Sequence, residues 1–165
     1  MKKIYIKKKN EKWPSYSEKQ GRLVKNAILN SNLNYWTGKS TLQFENKFAK
    51  FMGIKYGIAV SNASNGLDIA IKCLNLKKND EVIISPKSYY SSVTCIIKND
   101  LKPVFIDLNL NSNCFDENQI EKKITKKTKL ILCVHLGGFP CNMIKINKIA
   151  KKYNLFIIED CSQAH

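Results

Sequence analysis

Residues 155–165 read Leu-Phe-Ile-Ile-Glu-Asp-Cys-Ser-Gln-Ala-His. The apolar run Leu155 to Ile158 passes directly into two carboxylates, Glu159 and Asp160. A buried parallel strand reads this way when it carries an acid to the carboxyl edge of its sheet, where open α/β folds bind ligands. A charge in such a place needs a cationic partner, because isolated burial is too costly. A protonated heterocycle nitrogen is one such partner.

Working outward, the same grammar recurs upstream. Apolar runs suited to strands lie at Tyr56 to Val60, Glu81 to Ser85, Pro103 to Asp107, Leu130 to His135 and Phe156 to Asp160. Between them, helical spacing marks Asn65 to Leu74, Ser91 to Lys98, Glu117 to Ile124 and Ile144 to Tyr153. Strand alternating with helix predicts an α/β fold of three layers, α/β/α, with a mostly parallel sheet covered on both faces. Before this region, Ser17 to Leu29 has helical spacing, and Asn30 to Asn34 reads as a loop. Thr41 to Met52 is an amphipathic helix with Phe44, Phe48 and Phe51 on one face, closed by Gly53 as its cap.

Composition narrows the function classes. The 165 residues suffice for one domain with a real core, and 44% hydrophobic content argues against disorder. No apolar run approaches the ~20 residues of a membrane span. Lysines at Met1 to Lys9 are not followed by an apolar segment, so the expected location is cytoplasmic. The net charge is +15, yet Arg22 is the only arginine among 28 basic residues. Nucleic-acid sites favour arginine for bidentate and stacking contacts, so the scattered lysines read as a solvated surface that can also steer an anionic substrate. Cys73, Cys95, Cys114, Cys133, Cys141 and Cys161 form no C-x-x-C pair. They read as buried reduced thiols, and no metal is expected.

The turn Ser61-Asn62-Ala63-Ser64-Asn65-Gly66 follows the first strand candidate and opens a helix. Backbone N–H groups at a helix start suit a phosphate, and the Ser64 hydroxyl adds a donor. An ordinary N-cap turn reads the same way. Tyr89 lies beyond the second strand, placed to stack on a flat ring or to pack under a loop. His135 ends the fourth strand and precedes Gly137-Gly138-Phe139-Pro140, where it is either structural or in touch with a ligand. A phosphate site, an aromatic plate, a histidine and a buried acid together are the parts that hold a phosphorylated heterocycle.

The order of these motifs resembles the DegT/DnrJ/StrS group of nucleotide-sugar aminotransferases. The likeness runs from about Asn34 to His165. It is carried by Tyr35-Trp36-Thr37-Gly38, Phe44-Glu45, Val60 to Leu67, Asp80 to Ile83, Pro103 to Asp107, Val134 to Pro140 and Ile158 to His165. The resemblance implies the aspartate-aminotransferase fold (fold type I) and the cofactor pyridoxal 5'-phosphate. Ala63 and Ser64 match the phosphate-binding Gly-Thr, and Tyr89 the stacking aromatic. Asp160 matches the acid paired with the pyridine nitrogen, and Gln163 a residue near the ring's 3-hydroxyl. Thr37 and Gly38 match a segment that approaches the sugar; His135, from its place at the end of the fourth strand, is the further candidate for a substrate contact.

By the same resemblance, the substrate is a nucleotide-diphosphate keto-sugar, the amino donor glutamate, and the assembly a homodimer serving polysaccharide or amino-sugar biosynthesis. Residues 1–33 would form a leader and helix, and 34–165 the N-terminal part of the large cofactor-binding domain. The group's Schiff-base lysine lies downstream of the Glu-Asp strand, and none of the lysines here occupies its position. The 165 residues therefore read as part of a longer enzyme, marginally stable and inactive alone. Two alternatives share this sequence pattern: a sugar dehydratase of the same fold, with histidine in place of that lysine, and a non-catalytic piece completed by a separate C-terminal half. One departure concerns Ala63, tolerable in place of glycine where φ is negative.

Overall fold

The computed structural model describes residues 14–31, 33–110 and 113–164. The chain divides into two compact units, one up to Ala59 and one from Val60 onward.

The second unit is built on a four-stranded sheet. In chain order it contains α3 (Ala63–Cys73), β1 (Glu81–Ile84), α4 (Ser91–Lys98), β2 (Lys102–Phe105), α5 (Ile120–Lys123), β3 (Thr128–Val134), α6 (Met143–Tyr153) and β4 (Phe156–Asp160). All pairings are parallel, in the spatial order β2-β1-β3-β4. The period-two alternation of the strands divides the core. Val82, Ile84, Leu130 and Leu132 pack against Leu67 and Ile71 of α3 and Ile96 of α4. Ile83, Ile131 and Cys133 face the other way, onto Ile120 of α5 and Ile146, Ile149 and Ala150 of α6. The result is the expected three-layer α/β/α arrangement, and continuous apolar strands are what burial on both faces demands.

The first unit holds α1 (Glu18–Leu29) and α2 (Ser40–Met52). Ser17 caps α1 through a capping box with Gln20, so the helix start is locally specified. Gly53 ends α2 at φ 68°, as its type and place predict. The apolar face expected from Phe44, Phe48 and Phe51 is not a core face, for these residues are 57%, 39% and 81% exposed. The buried stripe of α2 is Glu45 and Ala49. It faces residues 57–59: a side chain at Gly57 would meet the Glu45 carbonyl oxygen at 2.9 Å, and the Ala59 N–H donates to Glu45 Oε1 at 2.8 Å. A glycine is required for that close approach.

Tyr56 to Val60 is not a strand: among the described residues it has no ladder partner, and an apolar run becomes a strand only by pairing. The six cysteines are not all buried. Cys95, Cys114, Cys133 and Cys141 are, but Cys73 is exposed at the last position of α3 and Cys161 is half-buried beyond β4.

Candidate active site

Because the strands are parallel, their carboxyl ends share one edge of the sheet. That edge carries Asp160 at the end of β4, His135 after β3, the 85–90 turn after β1 and the N-terminus of α3. Between them lies a cleft of about 280 Å³, lined by Ala63, Ser64, Tyr89, His135, Asp160 and Gln163 among others. Six residues singled out from the sequence are thus brought together. Thr37 and Gly38 belong to the first unit, where Asn34 Oδ1 accepts from the Thr37 N–H at 2.8 Å and from its hydroxyl at 2.9 Å.

Asp160 is 8% exposed and has no cation beside it among the described residues. Its oxygens are met only by donors. Oδ1 accepts from the Ser162 N–H at 3.1 Å and the Ser162 hydroxyl at 2.5 Å. Oδ2 accepts from the Ser92 hydroxyl at 3.1 Å. Ser92 in turn lies 2.8 Å from the Ser88 hydroxyl. The serines were invisible to sequence reasoning, since a serine near a helix start ordinarily reads as a cap. Only the fold, which brings the start of α4 to the carboxyl end of β4, gives Ser92 its partner.

The same cleft is lined by the N-terminus of α3, at Ala63 and Ser64. Asn62 caps the helix by accepting from the Asn65 N–H at 2.9 Å, and the Gly66 N–H bonds the Asn62 carbonyl at 3.1 Å. The N–H groups of Ala63 and Ser64 are those that helix geometry leaves without an intrahelical carbonyl. Ala63 opens the helix and is not among the non-glycine residues with positive φ, so its methyl brings no backbone strain. Tyr89 is 60% exposed at the mouth, its ring 4.5 Å from that of Tyr90.

His135 lines the cleft with both ring nitrogens already committed. Nδ1 accepts from the Cys141 N–H at 3.0 Å, which places the proton of the neutral ring on Nε2. Nε2–H then donates to Glu159 Oε2 at 3.1 Å. His135, Glu159 and Cys161 bring ligand-type atoms within 4.8 Å of one another. The Cys141 amide nevertheless argues against a metal there, because coordination through Nε2 would require the proton on Nδ1, facing another N–H. Gln163 Oε1 accepts from the Gly137 N–H at 2.6 Å, which leaves its amide N–H groups as the donors on offer.

Residues 16–165 match the DegT/DnrJ/EryC1/StrS aminotransferase family. The chain is 41% identical over 148 residues to dTDP-3-amino-3,6-dideoxy-alpha-D-galactopyranose transaminase of Aneurinibacillus thermoaerophilus, covering 90% of this chain and 40% of the relative. The X-ray structure of the aminotransferase from Psychrobacter cryohalolentis superposes with a TM-score of 0.91 at 39% identity, over 94% of this chain and 39% of that one. The E. coli GDP-4-keto-6-deoxy-D-mannose-3-dehydratase with bound hydrated PLP gives a TM-score of 0.81 at 29% identity, over 88% and 39%. The chain thus spans about two fifths of the length of each of these proteins. No helix among the described residues is long and apolar enough to cross a membrane. With most of its length matched, the chain belongs to the DegT/DnrJ/EryC1/StrS aminotransferase family.

Proposed function

We propose that these residues form the N-terminal part of the cofactor-binding domain of a pyridoxal-phosphate enzyme that transfers an amino group to a keto carbon of a nucleotide-linked deoxy sugar. The observation that carries the reading is Asp160, a buried carboxylate met by donors and with no cation beside it among the described residues, on a cleft also lined by the start of a helix. The donor set fits the cofactor. A dianionic phosphate suits the free N–H groups of Ala63 and Ser64 with the Ser64 hydroxyl, and a pyridinium suits Asp160. Tyr89 offers a flat face on the same cleft.

Bound there, pyridoxal phosphate would supply the electron-accepting ring that eases proton removal beside an amino group. The residues of this chain bind and orient. Ala63 and Ser64 anchor the phosphate, and Asp160 holds a proton on the ring nitrogen. The Gln163 amide, fixed by its bond to Gly137, donates toward the ring's oxygen substituent. His135, tied to Cys141 and Glu159, shapes the wall on which the substrate rests, and Thr37 with Gly38 contributes to sugar binding. Glutamate as amino donor, a homodimeric assembly and a cytoplasmic location complete the reading, supported by family membership.

The likeness to the E. coli dehydratase favours a second reading, in which the same cofactor site serves removal of a sugar hydroxyl. Full-length protein supplied with pyridoxal phosphate, glutamate and a nucleotide keto-sugar separates the two. An aminated sugar with stoichiometric 2-oxoglutarate supports transamination. A deoxygenated keto-sugar supports dehydration, and turnover of neither contradicts both.

A further inference from the structure

Oδ1 of Asp160 already accepts two bonds, both from Ser162, two residues along the same chain. Those bonds form a local turn available to any aspartate followed by such a serine. Among the described residues Oδ2 has a single donor, the hydroxyl of Ser92, contributed from 68 residues away. Each carboxylate oxygen offers about two acceptor directions. Oδ2 is therefore the oxygen with one direction open, and Ser92 is the group that sets where it points.

Ser92 is wholly buried at the second position of α4 and is not needed as a cap there, since its own N–H is already bonded to the Tyr89 carbonyl at 3.1 Å. Its one hydroxyl proton goes to Asp160, because an ionised carboxylate only accepts. The close contact with Ser88 must then run from the Ser88 hydroxyl to Ser92 Oγ. Ser88 itself lines the cleft. The chain of hydroxyls has one direction, Ser88 to Ser92 to Asp160, and it ends on the oxygen with spare capacity.

We propose that Ser92, backed by Ser88, is a positioning residue that fixes the carboxylate rotamer of Asp160 and aims Oδ2 at the protonated ring nitrogen of the cofactor. This rests on the pyridoxal-phosphate reading of the cleft. The role is separable from mere packing, because it acts only on a ligand that has a ring nitrogen.

The test compares binding of pyridoxal phosphate and 1-deazapyridoxal phosphate, which replaces that nitrogen with C–H, to full-length wild type, Ser92→Ala, Ser92→Thr and Ser88→Ala. Wild type should prefer pyridoxal phosphate. In Ser92→Ala that preference should shrink by roughly tenfold, as loss of a hydrogen bond to a charged group implies. Ser92→Thr should retain it, and Ser88→Ala should lose a smaller part. Using the ratio of the two ligands within each variant cancels any general loss of stability. An unchanged ratio in Ser92→Ala, or an equal weakening of both ligands, overturns the proposal. Failure of wild type to bind either ligand overturns the cofactor reading itself, and the proposal with it.

Discussion

At the amino end of β1, Glu81 is 7% exposed and sits among Thr125, Thr128 and Lys102. The Thr125 hydroxyl donates at 2.6 Å and that of Thr128 at 3.3 Å, with Lys102 Nζ at 3.5 Å. The Thr125 bond, aided by the lysine charge, holds the carboxyl below the usual glutamate range against the opposing effect of burial. The folded pKa is the depressed one, so the stabilisation is present above the unfolded value of about 4.3 and is lost as pH falls through the folded value. Urea midpoints measured across the acid range should therefore fall less steeply for Glu81→Gln than for wild type. Parallel acid limbs in the two proteins would contradict this. Two neighbouring glycines offer a second residue-scale contrast. Gly137 and Gly138 have φ of 65° and 84°, but only at Gly138 would a Cβ meet a neighbour, the Gln163 carbonyl oxygen at 3.2 Å. Gly137→Ala should cost about 1 kcal/mol for its backbone alone. Gly138→Ala should cost more and should also disturb Gln163; equal urea midpoints for the two variants would refute the asymmetry.

Elements were legible wherever a local pattern and its tertiary use agree. The apolar runs of β1, β3 and β4 and the helical spacing of α3, α4 and α6 match the sequence reading to within about two residues. β1 and β3 are buried along nearly their whole length, so their pattern has no solvent side to confuse it, whereas β4 keeps Phe156 and Glu159 exposed. Tyr56 to Val60 has the same local signature but no partner among the described residues, and propensity without a ladder makes no strand. The aromatic face of α2 is legible in its spacing, but its buried stripe is Glu45 and Ala49, and the burial of Glu45 depends on the backbone at 57–59. In the cleft, Asp160 and the 61–66 turn announce themselves at strand and helix ends. Ser92 does not, since its role exists only once the start of α4 meets the carboxyl end of β4. The start of α3 yields a prediction at this scale. Asn62→Ala removes the side-chain cap on the Asn65 N–H, costing about 1 kcal/mol of stability. Because it frays the turn that holds Ala63 and Ser64, it should also weaken binding of pyridoxal phosphate more than binding of phosphate-free pyridoxal. Equal weakening of both would contradict the phosphate assignment.

Over the whole molecule, exposure ranks the thiols. Native labelling with a maleimide should modify Cys73 first and Cys161 more slowly. Cys95, pushed up to about 11 by burial, should react only in denaturant, as should Cys114, Cys133 and Cys141. Rapid modification of any of those four in the native protein would contradict the packing described. The 165 residues alone also expose apolar groups in bulk: Leu23, Val24, Ile28 and Leu29 on α1, and Phe44 and Phe51 on α2. Patches of this kind drive association, so light scattering from the isolated 165-residue chain should rise with concentration, and a monodisperse monomer would count against it. Above all these stands the claim that the cleft at the carboxyl edge receives pyridoxal phosphate and that Asp160 pairs with its ring nitrogen. The direct measurement is equilibrium titration of full-length wild type and Asp160→Asn with pyridoxal phosphate. Saturable binding by wild type, weakened at least roughly tenfold in Asp160→Asn by loss of a charge-assisted bond, is the predicted result. Absence of saturable binding, or equal affinity in the two proteins, would contradict it.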